Sequence, residues 1–548
     1  MHKLFLLLWF VACISLGFGA SYYPQITVDL SNSQPGTTVT KFATAVEAAY
    51  TINVININAS VDFFNIQIHT FNEIVALSYD DPMDVHSYTN GTNIGLIWKE
   101  GLEKYSMKRK KENTGSAASG LVQFYLFRNH QVDEQLDFLI IVTTYTRNNP
   151  IPGGCNLSFE TEIAPYQKVN QSDEIITVMS QPPSLFGEFC NKSNITTEMY
   201  YFYLKEYDNN SQEYFEVIQK MATPDNITKY GTKVPDHLSS NKFKQMYNNY
   251  RGTGRVFAVV STYEGEKSAY VPATSFGCNL QAWEEECLAP VEPHWKVVIA
   301  LLLIFGVIIC FSGHQWFKFG LFVIGYTFGV IIMLIMVTVD NDFSSAGKAV
   351  YALLMGIFVA IAWIFLWWKY GIPFIAVFLA FILMGGLIAS IVFYSPLGNF
   401  YIFTDEPSFW LAFSSVLIIS LLPMVTLTSM YYIIALSLLG SYAIIVALNY
   451  YFGGNLPYIL INTYRRMTVK NFGTAVINPP FQTLDIWQTV LWILLFATGV
   501  HVQIRKSLGK PPFPPHRNRS VRNRNEAMVN EETPLLYPEM PPPYTATR

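Results

Sequence analysis

The chain has 548 residues, of which 51% are hydrophobic, 15% aromatic and 14% charged, with a formal net charge of −4. Soluble domains carry about 25% charged residues, and the shortfall here is local: eleven Asp, Glu, Lys or Arg fall in the 208 residues from Val297 to Ile504, and 65 in the other 340. This excludes a wholly soluble protein, a disordered one and a nucleic-acid binder, which needs a basic surface to neutralise phosphates.

At the N-terminus, Met1-His-Lys precedes the apolar run Leu4–Leu16, with small residues at Gly17 and Gly19. The run is too short to span a bilayer and fits a secretory signal peptide over residues 1–19. Residues 20–295 are then expected in the lumen. Eight Asn-x-Ser/Thr acceptors fall in that stretch, at Asn58, Asn90, Asn156, Asn170, Asn191, Asn194, Asn209 and Asn226, whereas only Asn518 lies elsewhere. Clustering of this kind predicts a glycosylated surface. Cys13 leaves with the signal peptide and Cys310 sits in an apolar run, which leaves Cys155, Cys190, Cys278 and Cys287 as an even lumenal set. They suit two disulfides in an oxidising compartment. Three pairings exist; Cys155–Cys190 with Cys278–Cys287 is favoured because each closes a short loop. No CxxC or HxxxH spacing supports a zinc site instead.

Within the lumenal part, Ile66-Gln-Ile-His-Thr-Phe71 alternates apolar and polar residues, as a half-buried strand does. Leu121–Phe127, Leu136–Tyr145, Met199–Leu204 and Arg255–Tyr263 are rich in β-branched and aromatic residues. Turn clusters separate them, and Ser211–Met221 has the periodicity of an amphipathic helix. The expected fold is a mainly-β ectodomain of two sandwich-like modules, 20–165 and 166–295, with a boundary near Pro165. The basic run Lys108–Lys111 is expected to be a solvated loop.

From Lys296 the pattern changes to long apolar runs. Seven spans are expected, at 297–313, 319–339, 349–368, 372–394, 408–428, 431–450 and 486–504, forming a helical domain over 296–504. With a lumenal N-terminus, seven crossings leave the tail, 505–548, in the cytosol. Lys318, Lys369, Arg505, Lys506, Lys510 and the tail arginines support that orientation; Arg465 and Arg466 oppose it. The connection from 451 to 485 is long and partly apolar, suggesting a re-entrant or interfacial segment. No Asp, Glu, Lys or Arg lies inside an expected span. Ion-coupled carriers place ionisable groups at membrane depth, and intramembrane enzymes need catalytic sets there. No catalytic, cofactor-binding or metal-binding residue is therefore assigned, and His314 and His501 are expected at the interface. Gly325-x-x-x-Gly329, Ala376-x-x-x-Ala380, Gly385-x-x-x-Ala389 and Ser437-x-x-x-Ser441 have helix-contact spacing, chiefly for packing within the bundle, with a dimer face as an alternative for the Gly325 pair.

The tail is basic and then Pro-rich, and it is expected to be disordered and to lie against anionic lipid. Glu531 precedes Leu535-Leu536 with acidic-dileucine spacing, which predicts recognition by clathrin adaptors. Tyr537 to Met540 fits a tyrosine-based sorting pattern, and Pro541-Pro542-Pro-Tyr544 is a PPxY suited to the WW domains of ubiquitin ligases.

Asn149-Pro-Ile-Pro-Gly-Gly-Cys-Asn-Leu-Ser-Phe159, Ala269-Tyr-Val-Pro-Ala273, Phe311-Ser-Gly-His-Gln-Trp-Phe317, Ser395-Pro-Leu-Gly-Asn399, Pro480-Phe-Gln-Thr483 and Pro511-Pro-Phe-Pro-Pro-His516 follow in an order that resembles the transmembrane seven superfamily member three family. The resemblance covers most of the chain. It implies a signal peptide, an ectodomain and seven spans, with a role in cell survival and in damping endoplasmic-reticulum stress. That family has no assigned catalytic residue, and the PPxY ending at Tyr544 departs from it. The resulting expectation is a non-enzymatic multi-pass glycoprotein of the secretory and endosomal system or plasma membrane, with an unidentified lumenal or extracellular protein as partner. A ligand-binding seven-span receptor, and a channel or carrier, are the alternatives.

Overall fold

A computed structural model describes residues 23–79, 88–99, 121–128, 135–155, 166–186, 190, 194–206, 210–238, 243–280, 287, 293–339 and 345–508. The signal-peptide segment, the Lys108–Lys111 run and the tail motifs from Glu531 to Tyr544 lie outside them. The chain divides into two units, one of residues 1–290 with 474–480, the other of 291–473 with 481–548.

In the first unit, β1 (Gln25–Asp29), β2 (Thr38–Ala45), β3 (Ala49–Ile55), β4 (Phe63–Thr70), β5 (Val75–Ser78), β6 (Thr89–Gly91), β7 (Asn93–Lys99), β8 (Val122–Arg128) and β9 (Leu136–Tyr145) build two sheets, ordered β1-β3-β8-β5-β6 and β2-β9-β4-β7. Only β1 and β3 pair in parallel among these strands. Ile52, Val54, Phe64, Ile66, Ile68, Phe124, Phe138, Ile140 and Val142 fill the space between the sheets, the alternate-residue core of a sandwich.

A second sandwich follows, from β10 (Gln167–Gln171), β11 (Ile175–Ser180), β12 (Thr196–Glu206), α1 (Ser211–Lys220), α2 (Pro224–Tyr230), β13 (Thr232–Lys233), β14 (Lys244–Asn248), β15 (Thr253–Tyr263), β16 (Glu266–Ala269) and β17 (Ala273–Ser275). Its sheets run β10-β11-β14 and β13-β12-β15-β16, with β17 also on β15. Helix α1 is capped by the Asn210 side chain, which accepts from the Gln212 N–H, and it buries Tyr214, Phe215, Val217 and Ile218. The partner change falls ahead of the Pro165 boundary expected from composition: Ile151 already bridges to Ser184, and Cys155 is bonded to Cys190.

Strand β4 departs from its half-buried expectation. Its polar face is as buried as its apolar one, with Asn65, Gln67 and His69 all at 0% exposure. The second module packs on that face: Leu139 and Ile141 of neighbouring β9 share a core with Tyr214, Ile218, Val256 and Phe276.

The second unit is helical, with α3 (Pro293–Ser312), α4 (Phe317–Val339), α5 (Ser345–Tyr370), α6 (Pro373–Tyr394), α7 (Glu406–Leu421), a further turn at Pro423–Thr426, α8 (Thr428–Phe452), α9 (Tyr458–Thr468) and α10 (Thr483–Ser507). Five of these, α4, α5, α6, α8 and α10, are long and apolar enough to cross a membrane; α3 and α7 contribute shorter apolar stretches, Lys296–Ser312 and Glu406–Leu421. Of the seven spans expected, five correspond to helices of crossing length among the described residues. Helix α8 stops at Gly453, whose φ of 83° only glycine adopts freely.

The small residues pack inside the unit. A Cβ on Gly325 would lie 3.0 Å from Ala360 Cα, and one on Gly329 would lie 3.0 Å from Gly356 Cα. The Gly325 pair therefore seats α5 against α4 within one chain and does not form a dimer face. On α8, a Cβ on Gly440 would lie 2.5 Å from the Cys310 nitrogen of α3. Lipid offers no hydrophobic drive between helices, so such backbone approach is a main source of their association.

Candidate functional site

Four sequon asparagines, Asn58, Asn90, Asn170 and Asn194, are exposed on the ectodomain, and Asn226 is half-buried in the first turn of α2. Asn156, Asn191 and Asn209 lie outside the described residues. Disulfides join Cys155 to Cys190 and Cys278 to Cys287, with Cα–Cα distances of 5.7 and 5.3 Å. Beside α1, an open polar cleft is lined by Phe202, Lys205, Gln212, Glu213, Glu216 and Lys220, with Lys205 Nζ paired to Glu213 Oε2 at 2.7 Å.

Where the two modules meet, a polar cluster is sealed from water. His69 Nδ1 lies 2.6 Å from Asn93 Oδ1 and its Nε2 lies 3.0 Å from Gln67 Oε1. Tyr214 donates to Asn93 Oδ1 at 2.7 Å, and Asn93 Nδ2 donates to Thr274 Oγ1 at 2.7 Å. Burial lowers the His69 pKa to about 4, since desolvation penalises the imidazolium. The ring is therefore neutral at pH 7 and serves as a hydrogen-bonding core residue.

A second cluster surrounds Arg255, which is 1% exposed on β15. Its guanidinium carbon lies 4.5 Å from the Tyr203 ring centroid, 5.2 Å from Tyr247, 5.5 Å from Tyr201, 5.7 Å from Tyr250 and 5.9 Å from Phe257. Nη2 donates to the Tyr203 hydroxyl, whereas Nε and Nη1 meet no acceptor among the described residues. Aromatic faces carry negative charge density, so the cage stabilises the cation. Its β-branched and aromatic composition made β15 legible, but nothing in the sequence placed four tyrosines around its arginine.

The helical unit concentrates its polar contacts at helix ends. Gln503 of α10, fully buried, donates to the carbonyls of Cys310 at 2.7 Å and Ile309 at 3.1 Å and to Ser437 Oγ at 3.1 Å. It satisfies orphan carbonyls at the end of α3 and accepts from the His314 N–H at 3.1 Å. His314 is buried there while His501 is exposed. Asp485 accepts from the Asn455 N–H at 2.6 Å and completes a capping box with Gln482 at the start of α10. The segment expected to be re-entrant or interfacial contains α9, whose Arg466 pairs with Glu406 at 3.2 Å, donates to the Phe403 carbonyl and stacks 3.7 Å over Phe409. Arg466 thus has a carboxylate partner within the helical unit.

Comparison with known proteins joins these parts. A family model described as "TM7SF3-like, N-terminal immunoglobulin-like domain" matches residues 31–108, "TM7SF3-like, second immunoglobulin-like domain" matches 150–281, and "TM7S3/TM198-like domain" matches 299–504. The chain is 27% identical over 493 residues to "Transmembrane 7 superfamily member 3" of Homo sapiens, covering 86% of this chain and 83% of that protein. It is 26% identical over 491 residues to the Rattus norvegicus protein of that name, covering 86% and 84%.

Proposed function

Because the chain belongs to the transmembrane 7 superfamily member 3 family, we propose that it is a non-enzymatic, glycosylated seven-span membrane protein whose immunoglobulin-like ectodomain binds a lumenal or extracellular protein. The carrying observation is the shared order of two immunoglobulin-like domains followed by the helical domain. Immunoglobulin-like sandwiches serve many functions, but here their exposed sequons and paired cysteines suit an oxidising, glycosylating compartment. The two shorter apolar helices, α3 and α7, complete the seven crossings, with the N-terminus lumenal and the tail cytosolic.

In this reading the protein acts in cell survival and in damping endoplasmic-reticulum stress. Glu531, Leu535 and Leu536, the Tyr537–Met540 pattern and the Pro541-Pro542-Pro-Tyr544 motif direct its passage through endosomal membranes by way of clathrin adaptors and WW-domain ubiquitin ligases. The spans serve as scaffold, because charged residues sit at helix ends instead of at membrane depth.

Proximity labelling from the ectodomain of the full chain in intact cells tests the proposal. It predicts that the same lumenal proteins are labelled with and without the tail beyond residue 508. Ligand-dependent recruitment of a G protein or arrestin would support the receptor alternative instead, and ion or solute flux through the purified protein in liposomes would support a channel or carrier.

A further inference from the structure

The ectodomain unit contains seven residues that come from far along the chain, 474–480. They lie along the outer edge of β14, whose other edge is taken by β11. Val476 forms a parallel bridge with Tyr247: its N–H donates to the Met246 carbonyl at 2.9 Å and its carbonyl accepts from the Asn248 N–H at 3.0 Å. The Val476 side chain, fully buried, joins the core built by Tyr201, Tyr247, Phe257 and Val259. The tyrosines of the Arg255 cage grip the following residues. Tyr250 donates to the Ile477 carbonyl and Tyr203 to the Asn478 carbonyl, each at 2.5 Å, while Asn478 Nδ2 donates to the Tyr201 hydroxyl at 2.9 Å.

This is the chemistry of strand addition: backbone bonds to an open sheet edge, one apolar anchor in a pocket, and side chains that read the peptide's carbonyls. An uncovered β14 would present unpaired N–H and C=O groups, the usual hazard of an edge strand. The caged Arg255 donates to the Tyr203 oxygen, which leaves the hydroxyl proton directed at Asn478 and fixes the groove's donor. Gln245 Nε2 adds a bond to the Thr474 carbonyl at 3.3 Å, so the segment is held at its backbone by β14 and by side chains that would meet the carbonyls of any extended peptide in the same way.

We infer that the β14 edge with Tyr201, Tyr203 and Tyr250 is a peptide-accepting groove, occupied in cis by residues 474–480, and that its ligand class is an extended peptide with a β-branched anchor two residues before an asparagine. The second immunoglobulin-like module is completed by a donated strand. This stands apart from the identity of any ectodomain partner.

The full chain reconstituted in lipid nanodiscs provides the test. In the Val476→Asp/Ile477→Asp variant the resident segment is unseated. A fluorescein-labelled peptide with the sequence of residues 473–481 is expected to bind that variant saturably and to leave the parent chain, whose groove is filled, unbound. The same peptide with proline at the position of Val476, which lacks the N–H for Met246, is expected not to bind. Equal binding to parent and variant, or none to a variant that keeps both disulfides, would overturn the inference. Should that variant fail to fold, hydrogen exchange on the conservative Tyr203→Phe/Tyr250→Phe chain decides. The inference predicts exchange about tenfold faster at Val476 and Asn248, with the central amides of β12 and β15 unchanged. Unchanged or uniformly raised exchange would contradict it.

Discussion

His69 illustrates how burial turns a titratable residue into a stability term. Its pKa is lowered from 6.5 to about 4 in the folded chain, so on acidification the unfolded chain takes up a proton that the native chain refuses. Its contribution is complete above pH 6.5 and is lost as pH falls toward 4, by about 3 kcal/mol in all. The groups that hold it, Gln67 and Asn93, are neutral and add no opposing charge. Hydrogen exchange of the β4 amides at pH 7 and pH 4.5 is expected to show the loss, and His69→Gln to flatten the dependence. The Arg466–Glu406 pair carries a different asymmetry, because the Arg466 side chain is 2% exposed and that of Glu406 45%. Removing the carboxylate strands a buried cation, whereas removing the cation leaves a carboxylate that water can reach. Glu406→Ala is expected to cost about 2 kcal/mol and Arg466→Met less, read as thermal unfolding in detergent. Neither role was legible in sequence: His69 reads as one polar residue in an alternating strand, and Arg466 as a loop charge. Both depend on partners supplied by other elements.

Among elements, the helices separate glycines that permit contact from glycines that do not. A Cβ on Gly329 would meet Val359 Cβ at 2.9 Å, while one on Gly386 meets nothing within 4 Å. Gly329→Leu is expected to lower stability by about 1–3 kcal/mol through overpacking of α4 on α5. Gly386→Ala is expected to raise it by about 0.5–1 kcal/mol through reduced freedom of the unfolded chain. Melting of the two variants in the same detergent checks both. Most elements are readable from pattern alone. Arg255–Tyr263 has strand composition and makes up β15 from its third residue to its end, and the charge-poor stretch from Val297 resolves into long helices. The strand donated at Val476 is not readable, since Ala475-Val-Ile477 is a short apolar triplet between turn residues, and its partner Tyr247 lies more than 200 residues earlier. Local sequence carries no signal for a pairing across that separation.

At the scale of the whole molecule, the charge deficit divides the chain into parts with different solvents, and the family match assigns immunoglobulin-like domains to one and the helical domain to the other. In the proposed function, recognition lies in the ectodomain and the tail. Replacing Leu535 and Leu536 with alanine is expected to raise surface abundance in a biotinylation assay, and an unchanged distribution would count against the sorting role. The central claim is that residues 20–295 face the lumen, and peptide N-glycosidase digestion of the full chain from cells tests it most directly. The account predicts a mass shift corresponding to several glycans on the eight ectodomain sequons; a band unchanged by the enzyme would contradict it.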